Sequence, residues 1–264
     1  MYIPEEIDKQ FNITEPILHA TQYTGKREKR RFSGSMWGMT NLQLWLEMNN
    51  DDIQKEEINQ STIGSLFHIG MEHIDKANMQ AYIEVEVANT IHTKNHQWTI
   101  TGTIDRIIEV IKDKQKYISI QDHKLTKSYV GVILKKEWFQ HSYIRQLNTY
   151  KWIHQETINQ DKQAKYDMRL NLFYKDGEEL NHVPHYEIFE VPQIPEFEKL
   201  LLNKLKEIDQ FIDNEEPPEK CEDIWWRKDK QGRSVPTRCT AYCNVNHLCP
   251  YYRPPSIRQK AMNW

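Results

Sequence analysis

Cysteine is missing from the first 220 residues of this 264-residue chain. The four cysteines that it has lie together near the end, at Cys221, Cys239, Cys243 and Cys249. The larger part of the chain therefore cannot be held by disulfides, as many small secreted domains are. Its length allows instead a sizeable hydrophobic core, in one enlarged α/β domain with a small appendage.

Long apolar runs are missing as well. No segment approaches the roughly 18 consecutive apolar residues of a membrane-spanning helix, and the opening residues MYIPEEIDKQ lack the basic and then apolar order of a signal peptide. Apolar residues make up 38% of the chain and charged residues 28%, which is typical of a soluble globular protein. We therefore expect a cytoplasmic protein with no membrane partner.

The chain as a whole also lacks the basic excess of many nucleic-acid-binding proteins, because its net charge is −3. The charge is unevenly spread, however. The segment from Lys220 to Trp264 carries nine Lys/Arg against three Asp/Glu, and the cluster KREKRR occupies residues 26–31. This asymmetry indicates a polyanionic partner only weakly, since a solvated basic face is common in proteins without one.

Helical and strand patterns follow one another along the chain without an internal repeat. Apolar residues at helical spacing predict helices over 35–48, 61–79, about 137–156 and about 195–213. Ser33 or Ser35 is a suitable N-cap for the first of them. Three alternating segments between residues 81 and 125 predict an antiparallel meander, and two more strands are predicted between 166 and 191.

This order of elements predicts an α/β fold with a mixed central β-sheet flanked by helices. We expect an N-terminal arm over residues 1–32, a core domain over 33–215 and a cysteine-rich segment over 216–264. The segment NEEPPEK breaks the last helix and begins the cysteine-rich part, a small loop-rich cap that needs its cysteines to hold a shape.

Two carboxylates are expected to face each other in the meander. A hairpin centred between residues 113 and 114 places Asp105 of TGTIDRI opposite Asp122 of YISIQDHKL. Cross-strand neighbours lie within about 5.5 Å, so the two carboxylates repel unless a cation lies between them. Asp122 and Lys124 share one strand face. The two carboxylates could therefore hold a divalent ion, while the Lys124 ammonium reaches a water molecule bound to that ion. A cross-strand salt bridge is the structural alternative for D-x-K alone.

Two helices carry polar pairs one turn apart. His68 and Glu72 are four residues apart in GSLFHIGME, where the imidazole could be a further metal ligand. Gln146 and Tyr150 are likewise four apart in RQLNTYKW and could contact phosphate or orient the catalytic groups. An ordinary helix histidine and an ordinary amphipathic helix are the alternatives.

The order in which these motifs occur along the chain resembles that of the RecB-type branch of the PD-(D/E)XK nucleases. The family's motifs occur here as G-x-x-x-H-x-x-x-E (Gly64, His68, Glu72), G-x-x-D (Gly102, Asp105), D-x-K (Asp122, Lys124) and Q-x-x-x-Y (Gln146, Tyr150). The resemblance covers roughly residues 33–157 through these motifs and reaches the tail through its cysteines. It implies a restriction-endonuclease-like core.

The resemblance also implies roles for the individual residues. His68, Asp105, Asp122 and the carbonyl of His123 would bind Mg²⁺ or Mn²⁺, and Lys124 would orient or activate the attacking water. Gln146 and Tyr150 would support the catalytic site and the DNA strand. Glu84 and Glu86 could be carboxylates that support the metal ligands, but they are interpreted as solvent-facing strand residues.

The cysteines have the spacing C-x17-C-x3-C-x5-C. Four thiolates grouped in this way in an intracellular protein favour a metal centre over disulfides. Several RecB-type nucleases carry a [4Fe-4S] cluster, and the resemblance implies one bound by Cys221, Cys239, Cys243 and Cys249. Here x3 replaces the family's x2, and the first ligand does not precede the nuclease core, so Zn²⁺ is the alternative.

Other residues of the tail are less informative. His247 could replace a cysteine ligand but is interpreted as a surface residue. Aromatic side chains lie among the basic residues of the tail, a combination that suits single-stranded DNA, and packing of the small cap is the alternative role. These aromatic residues are Trp225, Trp226, Tyr242, Tyr251 and Tyr252.

The resemblance predicts a metal-dependent DNA nuclease, and more specifically an exonuclease, that serves DNA recombination, repair or degradation. Its expected partner is DNA that is linear, single-stranded or has an end, and the C-terminal segment could also recruit a protein partner. The alternative is a non-catalytic DNA-binding or scaffold protein built on a decayed nuclease fold. Asp105, Asp122 and Lys124 are all present, which favours the enzyme.

Overall fold

The structure is a computed structural model that describes residues 29–50, 67–72 and 81–252. Within the last range it omits 137–140, 160, 162, 177–184, 214–216, 223–225, 229–233, 237, 240–242 and 244. Residues 1–28 of the predicted N-terminal arm, Gly64 and most of the helix predicted at 61–79 lie outside the described residues. The last two residues of that arm belong instead to a strand, Arg31–Ser33. So do three of the six residues of the basic cluster at 26–31.

The described helices and strands include a helix, a three-stranded meander, a helix, two strands and a helix, in the order that the sequence patterns predict. The strands are β1 (Arg31–Ser33), β2 (Tyr82–His92), β3 (Gln97–Lys112), β4 (Gln115–Thr126), β5 (Lys165–Tyr174), β6 (Tyr186–Glu190), β7 (Trp226–Lys228) and β8 (Ser234–Pro236). The α-helices are α1 (Asn41–Asn49), α2 (Ser128–Lys136), α3 (Ser142–Thr157) and α4 (Phe197–Asp213). Short 3-10 helices span Gly34–Gly38 and Asn246–Leu248, and residues 67–72 are helical.

The chain divides into two compact units. The described part of the first unit comprises residues 30–38 and 67–206, and it contains β1 to β6 with α2, α3 and most of α4. The described part of the second unit comprises residue 29, 39–50 and 207–252, and it contains α1, the β7–β8 hairpin and the four cysteines.

The first unit is built on a mixed six-stranded sheet, which confirms the predicted fold class. β2, β3 and β4 pair successively as an antiparallel meander. β5 then lies parallel to β4, and β6 returns antiparallel to β5. β1 runs parallel to β3 along residues 99–101, on the stretch of β3 that lies beyond its pairing with β4.

The β3–β4 hairpin has the register that the sequence predicts. Its ladder runs from Lys112 opposite Gln115 to Arg106 opposite Gln121. The next positions in this register are Asp105 and Asp122. The two carboxylates therefore lie on neighbouring strands, where the ladder between β3 and β4 ends.

The core of this unit lies between the sheet and α3. α3 contacts β2, β3, β4 and β5, and its Ile144, Leu147 and Ile153 are fully buried, as are Ile118 and Ile120 of β4. Each such side chain contributes about 1.5–3 kcal/mol when it is removed from water. The buried residues of β4 thus hold this strand in the core and fix the position of its polar end, which carries Asp122 and Lys124.

Two helix boundaries differ from the sequence prediction. The helix predicted from Ser35 is a 3-10 helix followed by α1, whose N-cap is Thr40 and not Ser33 or Ser35. The Thr40 hydroxyl accepts a hydrogen bond from the backbone N–H of Gln43. The helix predicted over 137–156 begins at Ser142, where the His141 side chain accepts from the N–H of Tyr143.

α2 was not predicted at all. Its sequence SYVGVILKK is rich in β-branched residues and contains Gly131, which all favour other conformations. Gly131 packs against the Tyr174 side chain of β5, so close packing on the sheet outweighs the weak helix propensity. None of the helices in the described part of the chain is long and apolar enough to cross a membrane.

Candidate active site

Asp105 lies where the regular alternation of β3 is interrupted. Trp98, Ile100 and Ile104 are buried at even positions, whereas Asp105 and Ile107 are buried at odd positions. In the facing strand β2, Glu84 has φ 49, and the pair Glu84–Asp105 is missing from an otherwise continuous ladder. Local breaks of this kind re-aim side chains beside active sites, and here the break leaves a carboxylate among buried residues.

The Asp105 carboxylate has two close partners. Its Oδ2 accepts a hydrogen bond from the backbone N–H of His123 at 2.6 Å and lies 3.4 Å from Nδ1 of His68. Burial, and next the charge of Asp122, raises the pKa of Asp105 to about 8, against the opposing effects of Lys124 and the His123 N–H. A carboxylate whose charge is this unfavourable is stabilised by a nearby cation.

Asp122 and Lys124 form a buried ion pair on β4. Nζ of Lys124 lies 2.7 Å from Oδ2 of Asp122, and Asp122 is only 1% exposed. Burial lowers the pKa of Lys124, but the charges of Asp122 and Asp105 raise it, and the net direction is upward. The ammonium also lies 5.4 Å from the ring centre of Tyr143. Lys124 is therefore held as a cation.

Gln146 and Tyr150 connect α3 to this ion pair. The Gln146 amide donates to the Tyr150 hydroxyl at 2.6 Å and lies 3.4 Å from Oδ1 of Asp122. Burial, and next the charge of Asp122, raises the pKa of Tyr150, so the phenol keeps its proton. The ring of Tyr150 packs against Gly102, where no side chain stands in its way.

Three side chains form a group suited to a metal ion. One ligand atom each from His68, Glu84 and Asp105 lies within 4.8 Å of the other two. Burial, and next the charge of Lys124, lowers the pKa of His68, which favours the neutral imidazole that binds metals. One imidazole and two carboxylates are ligands that Mg²⁺ and Mn²⁺ accept. The residues therefore fit a divalent ion.

The predicted site residues come together, with two differences in detail. His68, Asp105, Asp122, Lys124, Gln146 and Tyr150 lie around one point at the polar end of β4. The ring of His123 is directed to Asn171 and Phe173, while its main chain contacts Asp105. Glu72 is half-buried on the helical segment 67–72 but is not in the ligand group found among the described residues.

Glu84 corrects the sequence interpretation. It was placed with Glu86 among solvent-facing residues, and Glu86 is exposed, but Glu84 is half-buried beside His68 and Asp105. Two signals in the sequence could have revealed it. Ile104 and Ile107 are three residues apart, which breaks the period of two, and a β2–β3 hairpin centred between Lys94 and Asn95 sets Glu84 opposite Asp105.

Comparison of the sequence with known protein families identifies the family of this chain. The model of the PD-(D/E)XK nuclease superfamily matches residues 75–250, about two thirds of the chain. This chain belongs to the PD-(D/E)XK nuclease superfamily. The match includes Asp105, Asp122, Lys124, Gln146 and Tyr150, while His68 precedes it.

Solved structures agree with this nuclease fold. The crystal structure of SSO0001 aligns with a TM-score of 0.57 at 14% sequence identity, over 96% of this chain and 100% of that chain. At this identity the likeness shows a shared fold. Among curated proteins, none matches the chain. Nucleases of this superfamily generally depend on Mg²⁺ or Mn²⁺, which agrees with the ligand group around Asp105.

The second unit of this nuclease superfamily member gathers all four cysteines. None of them forms a disulfide, and all four line one cavity. Cys221, Cys243 and Cys249 pack against the small core formed by Leu42, Leu46 and Val245. Burial, and next the other cysteines, raises the pKa of Cys239, and burial raises that of Cys243 to about 11. These thiols lose their protons readily only to a bound metal.

Hydrogen bonds fix the loops around the cysteines. The Thr40 hydroxyl lies 3.1 Å from Sγ of Cys221, and the Asn246 side chain donates to the carbonyl of Cys239 at 2.6 Å. The N–H of Cys249 donates to the carbonyl of Asn246. His247 is exposed, as expected of a surface residue. α1 and the cysteine loops thus form one small structure around the thiols.

Proposed function

We propose that this protein is a divalent-metal-dependent DNA exonuclease of the RecB-type branch that serves DNA recombination, repair or degradation. One observation carries the proposal: Asp105, Asp122 and Lys124 meet His68 and the Gln146–Tyr150 pair in a single, largely buried site. A decayed nuclease fold would have lost a ligand or the lysine. All of these groups are present, and each lies within hydrogen-bonding or ion-pair distance of another member of the site.

The metal ion would be held by His68, Asp105, Asp122 and the carbonyl of His123. When bound, a divalent ion polarises the phosphoryl oxygens and lowers the pKa of a water molecule. Lys124, which is paired with Asp122, would orient or activate the nucleophilic water and neutralise the phosphate.

Gln146 and Tyr150 have positioning and binding roles. The Gln146 amide orients Asp122 and also donates to the Tyr150 hydroxyl, which leaves the proton of that hydroxyl for another acceptor. A phosphate oxygen of the DNA strand is a suitable acceptor, since hydroxyl groups commonly contact the nucleic-acid backbone. The pair would thereby couple strand binding to the orientation of a metal ligand.

For the second unit we propose a [4Fe-4S] cluster at the four cysteines. Cys249 is followed directly by Pro250, and a cysteine before proline is frequent among cluster ligands, which supports a cluster over a single Zn²⁺ ion. A protein partner for this unit and the boundaries 1–32, 33–215 and 216–264 stay predictions.

A cleavage assay tests the nuclease proposal. The purified protein is incubated with linear and circular DNA, single- and double-stranded, with Mg²⁺, with Mn²⁺ and with a chelator. We expect metal-dependent loss of the linear substrates and no loss of the circular ones. Cleavage of circular DNA would contradict the exonuclease assignment, and no product under any condition would support the non-catalytic alternative.

A further inference from the structure

We propose that Glu84 is a ligand of the catalytic metal ion, although it lies outside the four motifs of the family. The inference rests on the proposed nuclease function, because it concerns the ion of that same site. It adds Glu84 to the ligands proposed above, beside His68 and Asp105.

Backbone geometry brings Glu84 to the site. The β2–β3 ladder is regular on both sides of Glu84, with Ile83 opposite Arg106 and Val85 opposite Ile104. Glu84 and Asp105 are thus directly opposed, yet they form no ladder pair, and Glu84 has the left-handed φ of 49. A non-glycine residue in this region is uncommon. The deviation places the Glu84 carboxylate beside Asp105 and His68.

The spacing of the three ligand atoms suits an ion. Oxygen and nitrogen ligands at about 2.1 Å from a metal lie within about 4.2 Å of one another. The ligand atoms of His68, Glu84 and Asp105 already lie within 4.8 Å, so a small side-chain shift closes the site. The group is more than a collection of carboxylates, because an imidazole nitrogen belongs to it and lies 3.4 Å from Asp105 Oδ2.

The contacts of Asp122 leave room for a ligand outside the family's motifs. Its Oδ2 lies 2.7 Å from the Lys124 ammonium, and its Oδ1 faces the Gln146 amide. Apart from that ion pair, Oδ2 has no hydrogen-bond partner among the described residues. Asp122 therefore divides its carboxylate between Lys124 and the ion, and Glu84 supplies a further negative charge to the ion beside His68 and Asp105.

Metal binding measured without DNA tests the inference directly. Mn²⁺ affinity is determined by titration calorimetry for the wild type, Glu84→Gln, Asp105→Asn and Glu86→Gln. Glu86 is the matched control, since it lies two residues along the same strand and is exposed. We expect Glu84→Gln to weaken Mn²⁺ binding at least tenfold, because even groups that only orient a ligand contribute about 10–100-fold. Glu86→Gln should bind like the wild type.

Cleavage assays provide the second readout. Glu84→Gln should need at least tenfold more Mn²⁺ for half-maximal cleavage of linear DNA and should recover much of its rate at saturating metal. Wild-type affinity in Glu84→Gln, with binding lost in Asp105→Asn, would overturn the role of Glu84 while leaving the nuclease intact. A wild type that neither binds Mn²⁺ nor cleaves DNA would refute the proposed function itself. Circular dichroism of each variant checks that it is folded.

Discussion

Asp122 and Lys124 occupy positions of β4 that a purely structural strand would fill with apolar side chains, as it does at Ile118 and Ile120. Burying an ion pair costs several kcal/mol per ion in desolvation, and the attraction between the charges often fails to repay it. The pair is therefore poor evidence for stability. Its place beside Asp105 and His68 indicates that the residues serve chemistry.

Gly102 provides a test of how closely this site is packed. A Cβ at this position would lie 2.8 Å from Cδ1 and 3.3 Å from Cζ of Tyr150. Gly102→Ala should therefore displace the Tyr150 ring, disturb its contact with Gln146 and lower the cleavage rate of linear DNA at least tenfold. Overpacking of this kind costs about 1–3 kcal/mol, which a thermal melt would show as a lower Tm.

Gly70→Ala is the matched control for that substitution. A Cβ at Gly70 meets nothing within 4 Å, and the residue lies in the helical segment 67–72. Alanine is favoured over glycine in a helix by about 0.5–1 kcal/mol, so this variant should be as stable as the wild type or slightly more so, with full activity. Equal activity of Gly102→Ala and Gly70→Ala would show that Tyr150 has no fixed role.

Residue patterns could predict most of this site but not all of it. Asp105 and Asp122 follow from the hairpin register, and Lys124 follows from the period of two in a strand. Glu84 was missed, because Glu86 has the same parity along β2 and only the β2–β3 register, which sets Glu84 opposite Asp105, separates the two. The left-handed backbone at Glu84 adds to this difference, but glutamate carries no sequence signal for that conformation.

At the scale of elements, β3 organises the active site. Its 16 residues pair with β2 along one edge and with β1 and then β4 along the other. Along this second edge the neighbouring strand changes from β1 to β4 near Asp105. The interval between the two pairings can accommodate a backbone irregularity and a cluster of charged side chains. The site therefore lies at the junction between β2, β3 and β4 and not at the tip of a loop.

Strands were easier to predict than helices. Four of the five strands of the meander and of the following pair begin and end within one residue of their predicted limits, because the alternation of apolar residues is strong. β2 is the exception, since it continues five residues beyond the predicted segment AYIEVEV, to His92. Helix limits depended on side chains that were not recognised. α1 begins after Thr40 and α3 begins after His141, and α2 depends on packing against Tyr174, which no local pattern records.

The cap of α1 can be tested by itself. Thr40→Ala removes the hydroxyl that accepts from the N–H of Gln43, and loss of such a cap costs about 1 kcal/mol. Amide hydrogens in the first turn of α1 should then exchange about fivefold faster, which hydrogen-exchange mass spectrometry can measure. Thr40→Ser keeps the hydroxyl and should restore wild-type exchange. Slow exchange in both variants would mean that the cap contributes nothing.

At the scale of the whole molecule, the two compact units offer two kinds of side-chain ligand. The first offers carboxylates and an imidazole, which suit Mg²⁺ and Mn²⁺, whereas the second offers four thiols, which suit iron–sulfur clusters or zinc. The nuclease superfamily could be predicted from the sequence, because the motifs follow one another in a fixed order. The metal that we propose for the cysteines could not be chosen from their spacing, since C-x17-C-x3-C-x5-C is compatible with both an iron–sulfur cluster and zinc.

The cysteine centre has a direct chemical test. Protein purified without oxygen should contain about four iron atoms per chain, as one [4Fe-4S] cluster requires, and show a visible charge-transfer absorption. Cys243→Ser should lose both. His247→Ala is the control and should keep both, because His247 is exposed. A colourless wild type that retains zinc under these conditions would refute the cluster.

The role of Lys124 is the central claim, and single-turnover cleavage of linear DNA with Mn²⁺ tests it most directly. A positioned charge of this kind accelerates reactions by about 10²–10³-fold. Lys124→Ala should therefore cleave at least a hundredfold more slowly while binding DNA and Mn²⁺ nearly as well as the wild type. Lys127→Ala, which removes an exposed charge three residues along the chain, should cleave normally. Cleavage by Lys124→Ala within threefold of the wild-type rate would contradict the account.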